Sequence, residues 1–451
     1  MKHVHLLVVA ALVAAAVFVA QAAAAPAGAA LVTNSNDAGP GSFRAAVAQA
    51  NASGEVGQIV FVGGLAPVAL ASTVVYTGDQ SLRIQGNGAV LDGDGFRAET
   101  AGDLSVSGLT VRDAPGEGLA YVVPSDASGV VRVSLSDVSA IENAGHGVLL
   151  DEQEGESAAS LDVSVVNSTF AKNGFSVSDR DGLRAQEGGD GDLVVVLRHV
   201  ASTGNAADGI ELDERGAGDV AFTVSGTAIT GNGSFDPDDL DDGMDVDESG
   251  DGAVRGVVKG STASDNFEEG WDFNENDAGD FVVDMTNVHA SRNGEEGVDF
   301  EEDDDDAGGG DLVTKLAGVT ADDNAGGDAG IKIREKGAGS LAATVRGAQA
   351  NGNDEDGINV REDDVGDLEA SVAHSTTAGN GDDGVNFDEN ADGDLTAATS
   401  HGTSSENGDD GVVADEGGSG AGTLDVFFMT FAGNGGSDVA VVGDVTVTRK
   451  P

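Results

Sequence analysis

GINVREDDVGDLEASVAHSTTAGNGDD, running from Gly357 to Asp383, is the stretch on which the fold turns. Ile358 and Val360 share one parity, Asn359 and Arg361 the other, and this period of 2 predicts a strand. A Gly-containing turn follows at Asp363–Gly366, then a second strand-like run from Leu368 to Val372. Small residues, Ser375–Ala378, lead to Asn380 and an acidic turn. Three short strands and three turns in 27 residues describe one coil of a parallel β-helix. Two fixed glycines and few Leu, Lys or Gln argue against a helical repeat. A propeller blade needs about 40 residues.

Outward from this unit, the phrase Gly–apolar–x–apolar–x–Glu recurs. It begins at Gly147, Gly182, Gly209, Gly243, Gly270, Gly297, Gly330, Gly357, Gly384 and Gly411, with a degenerate copy at Asp438. Seven of the ten gaps are 27 residues and the rest are longer by 6 to 8, as surface loops inserted into a fixed unit are. The expectation is an all-β solenoid of about fourteen coils stacked at about 4.8 Å. The first residues differ. Lys2 precedes fifteen apolar residues, Leu6–Ala20, and an Ala-rich stretch, the order of a secretory signal peptide. Ser42 is placed as an N-cap, and Phe43, Ala46, Val47 and Ala50 fall at helical spacing. The expected division is signal peptide 1–25, a cap with a short helix 26–56, irregular first coils 57–134, and regular repeats 135–451.

LVTNSNDAGPGSFRAAVAQANA from Leu31, then QIVFV, then LRIQGNGAVLDGDG resemble the opening of bacterial secreted β-helix proteins of the pectin-lyase-like superfamily. The resemblance implies a single-stranded, right-handed parallel β-helix. It leaves the activity open, because that superfamily holds polysaccharide lyases, glycoside hydrolases and adhesin passengers.

Composition narrows the chemistry. The 451 residues carry 80 Asp+Glu against 22 Lys+Arg, a formal net charge of −58, with no Cys. There is therefore no disulfide framework, thiolate metal site or Cys nucleophile. Phosphate recognition needs clustered Lys and Arg, so no nucleic-acid partner is expected. Membrane insertion after signal cleavage is not expected either, and the mature protein reads as secreted, extracellular, cell-surface or periplasmic. One Trp and two Tyr are poor provision for stacking on sugars.

Stacking turns each repeat position into a column. The Asn column runs Asn143, Asn173, Asn205, Asn232, Asn266, Asn293, Asn324, Asn353, Asn380, Asn407 and Asn434, and reads as an amide ladder. The Glu column contains Glu152, Glu187, Glu214, Glu248, Glu275, Glu302, Glu335, Glu362, Glu389 and Glu416. Three readings stand open for it: corner carboxylates accepting turn N–H groups, a cation column, or carboxyls sharing protons. A third column of turn acids, including Asp181, Asp208, Asp242, Glu269, Glu296, Asp356, Asp383 and Asp410, is expected outside. His199, His374 and His401 share one column, in which His374 and His401 are neighbours, either spare surface groups or a metal pair.

Outward strand positions give the candidate site. Asp245, Asp247, Asp272, Asp299 and Glu301 cluster on adjacent coils, and carboxylates at that spacing can bracket Ca²⁺. Lys332, Arg334 and Arg361 follow on the next two coils. They read as a cross-coil salt-bridge patch or, alternatively, as the basic groups of a lyase. The leading functional expectation is an exported, non-catalytic scaffold or adhesion-type protein with acidic faces for Ca²⁺, glycans or a cell-surface partner. The alternative is a calcium-assisted polysaccharide lyase or glycoside hydrolase.

Overall fold

The computed structural model describes residues 28–152, 157–176, 179–235, 240–303 and 309–451; the expected signal peptide, 1–25, lies outside them. The Gly357 unit forms three strands, Asp356–Glu362, Leu368–Ala373 and Thr376–Ala378. Ile358 pairs in parallel with Ile331 on one side and Val385 on the other, so each coil lies over the equivalent residues of the last. One strand from every coil contributes to a fourteen-stranded parallel sheet. The longer second strands, joined by the short third strands of the earlier coils, make a sheet of 22 strands. The last short strands form a sheet of four, and single bridges Thr262–His289–Thr320–Gln349 carry the ladder between them. The molecule is a parallel β-solenoid. No helix among the described residues is long and apolar enough to cross a membrane.

Alternation sends one parity of each strand inward. Ile333, Val360 and Phe387 are fully buried in one stack, and Phe273 lies against Phe300 with ring centroids 5.6 Å apart and planes 13° apart. Each such burial contributes roughly 1.5–3 kcal/mol. Turn geometry fixes the rest of the coil. Gly366 approaches the coil before it so closely that a Cβ would lie 1.6 Å from the Gly339 carbonyl oxygen. The residue between the second and third strands is left-handed, with φ +55° at both His374 and His401. Their rings stack with centroids 5.0 Å apart, and Phe428 continues the stack at 4.8 Å.

A helix, Phe43–Ala52, packs over the first coils. Ser42 caps it by accepting the Ala45 N–H at 3.2 Å, and Phe43, Ala46, Val47 and Ala50 are its buried face. The Phe43 ring sits 5.2 Å from Phe61 and 5.7 Å from Phe96. At its other end the Gln80 amide donates to the carbonyls of Ala50, Ser53 and Val56. The exposed core edge of the solenoid is closed there by apolar packing and satisfied carbonyls together.

Candidate cation-binding furrow

The outward face of the fourteen-stranded sheet carries two columns in strict register. One runs Arg184, Glu211, Asp245, Asp272, Asp299, Lys332 and Asn359. The other runs Gln186, Asp213, Asp247, Asn274, Glu301, Arg334 and Arg361. Beside the first column stands the column of turn acids, and here the expectation is corrected. Most of these acids are covered rather than exposed: Asp181 is fully buried, Glu296 is 2 % exposed and Asp242 is 8 % exposed, with Glu269 and Asp410 half-buried. Asp181, Asp208, Asp242, Glu296, Asp356, Asp383 and Asp410 fold back to accept a backbone N–H from the following coil. Asp242 donates its N–H to Asp208 at 2.6 Å, Glu269 to Asp242 at 2.7 Å, and Asp328 to Glu296 at 2.7 Å. Those amides have no ladder partner at the turn, and a carboxylate satisfies them well.

The turn acid and the strand acid three residues later therefore converge, coil after coil. Ligand oxygens of Asp242, Asp245 and Asp272 all lie within 4.8 Å of one another, as do those of Glu269, Glu296 and Asp299. Asp242, Glu268 and Glu269 form a third such set. The furrow has cationic ends. Arg184 pairs with Glu211 at 2.6 Å and with Asp179 at 2.7 Å. Lys332 pairs with Asp299 at 2.8 Å and stands 3.8 Å from Glu296. Between these ends the carboxyls outnumber the bases, so the repeats are less uniform than their sequence period suggests.

Burial, then the charges of neighbouring acids, pushes Asp208, Asp242, Asp245 and Asp272 well above the usual carboxylate range. Asp299 rises for the same two causes although Lys332 opposes them. Glu269 is pushed up to about 8. Asp181 moves the other way, because its hydrogen bond to His146 and the nearby Arg184 outweigh its burial. Among the described residues several carboxylate oxygens accept no hydrogen bond. Glu211 Oε2, Asp245 Oδ1 and Asp299 Oδ1 are buried without a hydrogen bond, and Glu211 and Asp299 are 6 % and 4 % exposed as residues. Oxygen donors this close together suit one hard cation such as Ca²⁺, which takes 6–8 oxygens at about 2.3–2.6 Å.

Of the cation ligands expected from sequence, Asp245, Asp272 and Asp299 thus join turn acids in close sets. Asp247 and Glu301 lie in the adjoining column. Asp247 bonds Asn274, and Glu301 is engaged by Arg334 at 3.3 Å and by Lys336. The three basic residues are all held by acids. Besides Lys332, Arg334 reaches Asp363 at 2.5 Å, and Arg361 binds the same carboxylate at 2.5 Å. Asp242, Glu269 and Glu296 went unassigned to the site in the sequence. The signal was there as acid–x–x–Asp, repeated at Asp242/Asp245, Glu269/Asp272 and Glu296/Asp299.

The chain matches no protein-family model and no curated protein. Among solved structures it is similar to pectate lyase Pel9A, at 17% identity and TM-score 0.44 over 64% of this chain and 77% of that one. It is similar to the A-module of the Azotobacter vinelandii mannuronan C-5 epimerase AlgE4, at 14% identity and TM-score 0.40 over 90% and 94%. It is also similar to the Streptococcus pneumoniae surface protein and adhesin PfbA, at 10% identity and TM-score 0.37 over 89% and 95%. These likenesses concern the winding of the chain, and the fold itself rests on the strand register described above.

Proposed function

We propose that this protein is an exported, non-catalytic scaffold whose furrow holds Ca²⁺, with the two sets Asp242–Asp245–Asp272 and Glu269–Glu296–Asp299 as its sites. One observation carries the reading. Buried carboxylate oxygens without partners, Asp245 Oδ1 and Asp299 Oδ1, belong to sets of three acids whose oxygens already lie at bracketing distance. A buried carboxylate without compensation is costly, and a divalent ion removes that cost. Calcium would then tie successive coils together and stiffen a rod whose like charges otherwise repel. The test is thermal unfolding with Ca²⁺, with Mg²⁺ and with chelator at constant ionic strength. The reading expects Ca²⁺ to raise Tm beyond Mg²⁺, and the Asp245→Asn/Asp299→Asn protein to lose that increment. A Tm indifferent to Ca²⁺ at low salt would contradict it.

A second reading, glycoside hydrolysis, draws on the same recessed face. A carboxyl kept protonated by its surroundings is what a general acid requires. Cleavage of an acidic polysaccharide that is lost in Asp245→Asn would replace the scaffold reading. The commitment of Lys332, Arg334 and Arg361 to ion pairs counts against their use as the base of an elimination.

A further inference from the structure

On the opposite side of the same strands, inside the rod, the Glu column forms a second and separate array of acids. Its ten side chains are fully buried, save Glu416 at 4 % exposure. Sequence reasoning offered corner carboxylates bonded to their turns, and half of that geometry is present. Glu335 Oε1 accepts the N–H groups of Gly337 and Gly339 at 2.9 and 3.1 Å. Glu362 accepts from Asp364 at 2.9 Å and Glu389 from Ala391 at 2.9 Å. The other oxygen, Oε2, of Glu275, Glu335, Glu362 and Glu389 is buried and meets no donor from backbone or from another residue type. What stands beside it is the next glutamate. In the strand register Glu214 lies between Glu187 and Glu248, and Glu362 between Glu335 and Glu389, one coil away on either side.

Two ionised carboxylates cannot hydrogen-bond, since each is an acceptor only. Contact between them requires a proton or a metal ion. Burial is the largest influence on these glutamates, followed by the column's own members, the turn amides and, on Glu248, the carboxylate of Asp277; no Lys, Arg or His stands among them. The turn glycines close in on several of these carboxyls; a Cβ on Gly252 would lie 2.6 Å from Glu248 Oε1 and one on Gly216 3.1 Å from Glu214 Oε1. A hard cation needs about 6–8 oxygens, and none of the close acid sets of the furrow draws on this column. We infer that Glu187, Glu214, Glu248 and Glu275, and Glu335 with Glu362, form chains of carboxyls sharing protons at neutral pH, each protonated member donating its O–H to an ionised neighbour one coil away.

Burial and the adjacent carboxyls act in the matching direction. Glu187 is pushed up to about 8, Glu214, Glu275 and Glu362 to about 10, and Glu416 to about 7. The sign follows. An unfolded glutamate ionises near 4.5 while the folded column keeps its protons, so the folded state binds more protons between these values. Stability is lost as pH rises from about 4.5 toward about 10. The column is a built-in base-sensitive element, independent of the outer furrow.

The experiment is infrared spectroscopy of the whole protein at neutral pH with saturating Ca²⁺, comparing wild type with Glu214→Gln/Glu275→Gln. Glutamine keeps shape and one donor and removes the titration. The wild type is expected to show the carbonyl band of protonated carboxyl groups, persisting in Ca²⁺ and reduced in the variant. Its Tm in chelator is expected to fall between about pH 5 and pH 9, with a shallower slope in the variant. Absence of the band in wild type would overturn the inference, as would its disappearance on adding Ca²⁺, or a wild-type Tm that rises across that range. Absence of the wild-type band decides against the inference even if the variant does not fold.

Discussion

Asn353 shows what one residue does in a stacked coil. Its Oδ1 accepts both the backbone and the side-chain N–H of Asn324, each at 3.1 Å. Its Nδ2 donates to Asn380 Oδ1 and to the Ala321 carbonyl, again at 3.1 Å. The amide thus satisfies groups on the coil before it and on the coil after it. Asn353→Ala leaves buried donors and acceptors on both neighbours unmade, at about 2–4 kcal/mol. Asn353→Asp removes the donating half alone and adds a buried charge. Denaturant unfolding of both variants is expected to show comparable losses, whereas substitution of the exposed Glu406 changes little. Parity and the 27-residue spacing were enough to place this residue, because an amide both donates and accepts and can repeat indefinitely. They were not enough for Asp242. Alternation fixes where strand side chains point, but at a turn the direction follows from which amide lacks a partner, and that is visible only once the coils are stacked.

At the scale of the element, the helix Phe43–Ala52 acts as a lid on the first coils. Repeat arrays gain stability from each neighbour, so an end lacking cover opens first. Phe43 is fully buried between Phe61 and Phe96, and Phe43→Ala should cost about 3–5 kcal/mol locally. Hydrogen exchange should register this as lost protection in Ala29–Val32 and Gln58–Phe61, with Leu368–Ala373 unchanged. Equal loss along the rod would mean the solenoid unfolds as one unit. The helix was legible because Ser42 and four apolar residues at helical spacing announce it. The three strands of the Gly357 unit were legible for the same kind of reason. The acidic furrow was legible only in part: Asp245, Asp272 and Asp299 announced themselves as outward strand acids, while Glu269 and Glu296 reach the site from the turns.

For the whole molecule, a formal net charge of −58 on a parallel stack makes repulsion a property of the rod rather than of any pair, even with some carboxyls protonated. Without divalent ions, Tm should climb as NaCl shortens the Debye length from about 10 Å at 0.1 M to about 3 Å at 1 M. A Tm insensitive to NaCl would place the charges too far apart to matter. Calcium uptake should also release protons, because furrow carboxyls such as Glu269, pushed up to about 8, are still partly protonated at neutral pH. Calorimetric titration in buffers of different ionisation enthalpy measures that release, which should shrink as pH rises past about 8.

The furrow carries its own reporter. Trp271 is the one tryptophan of the chain, and it is the strand neighbour of Asp272. Terbium(III) takes the oxygen sites of calcium and emits when a nearby indole is excited. Luminescence excited through Trp271 is therefore the direct measurement. The account predicts sensitised emission that Ca²⁺ displaces and that Asp245→Asn/Asp299→Asn abolishes. Emission that is absent, or that survives both substitutions unchanged, would contradict it.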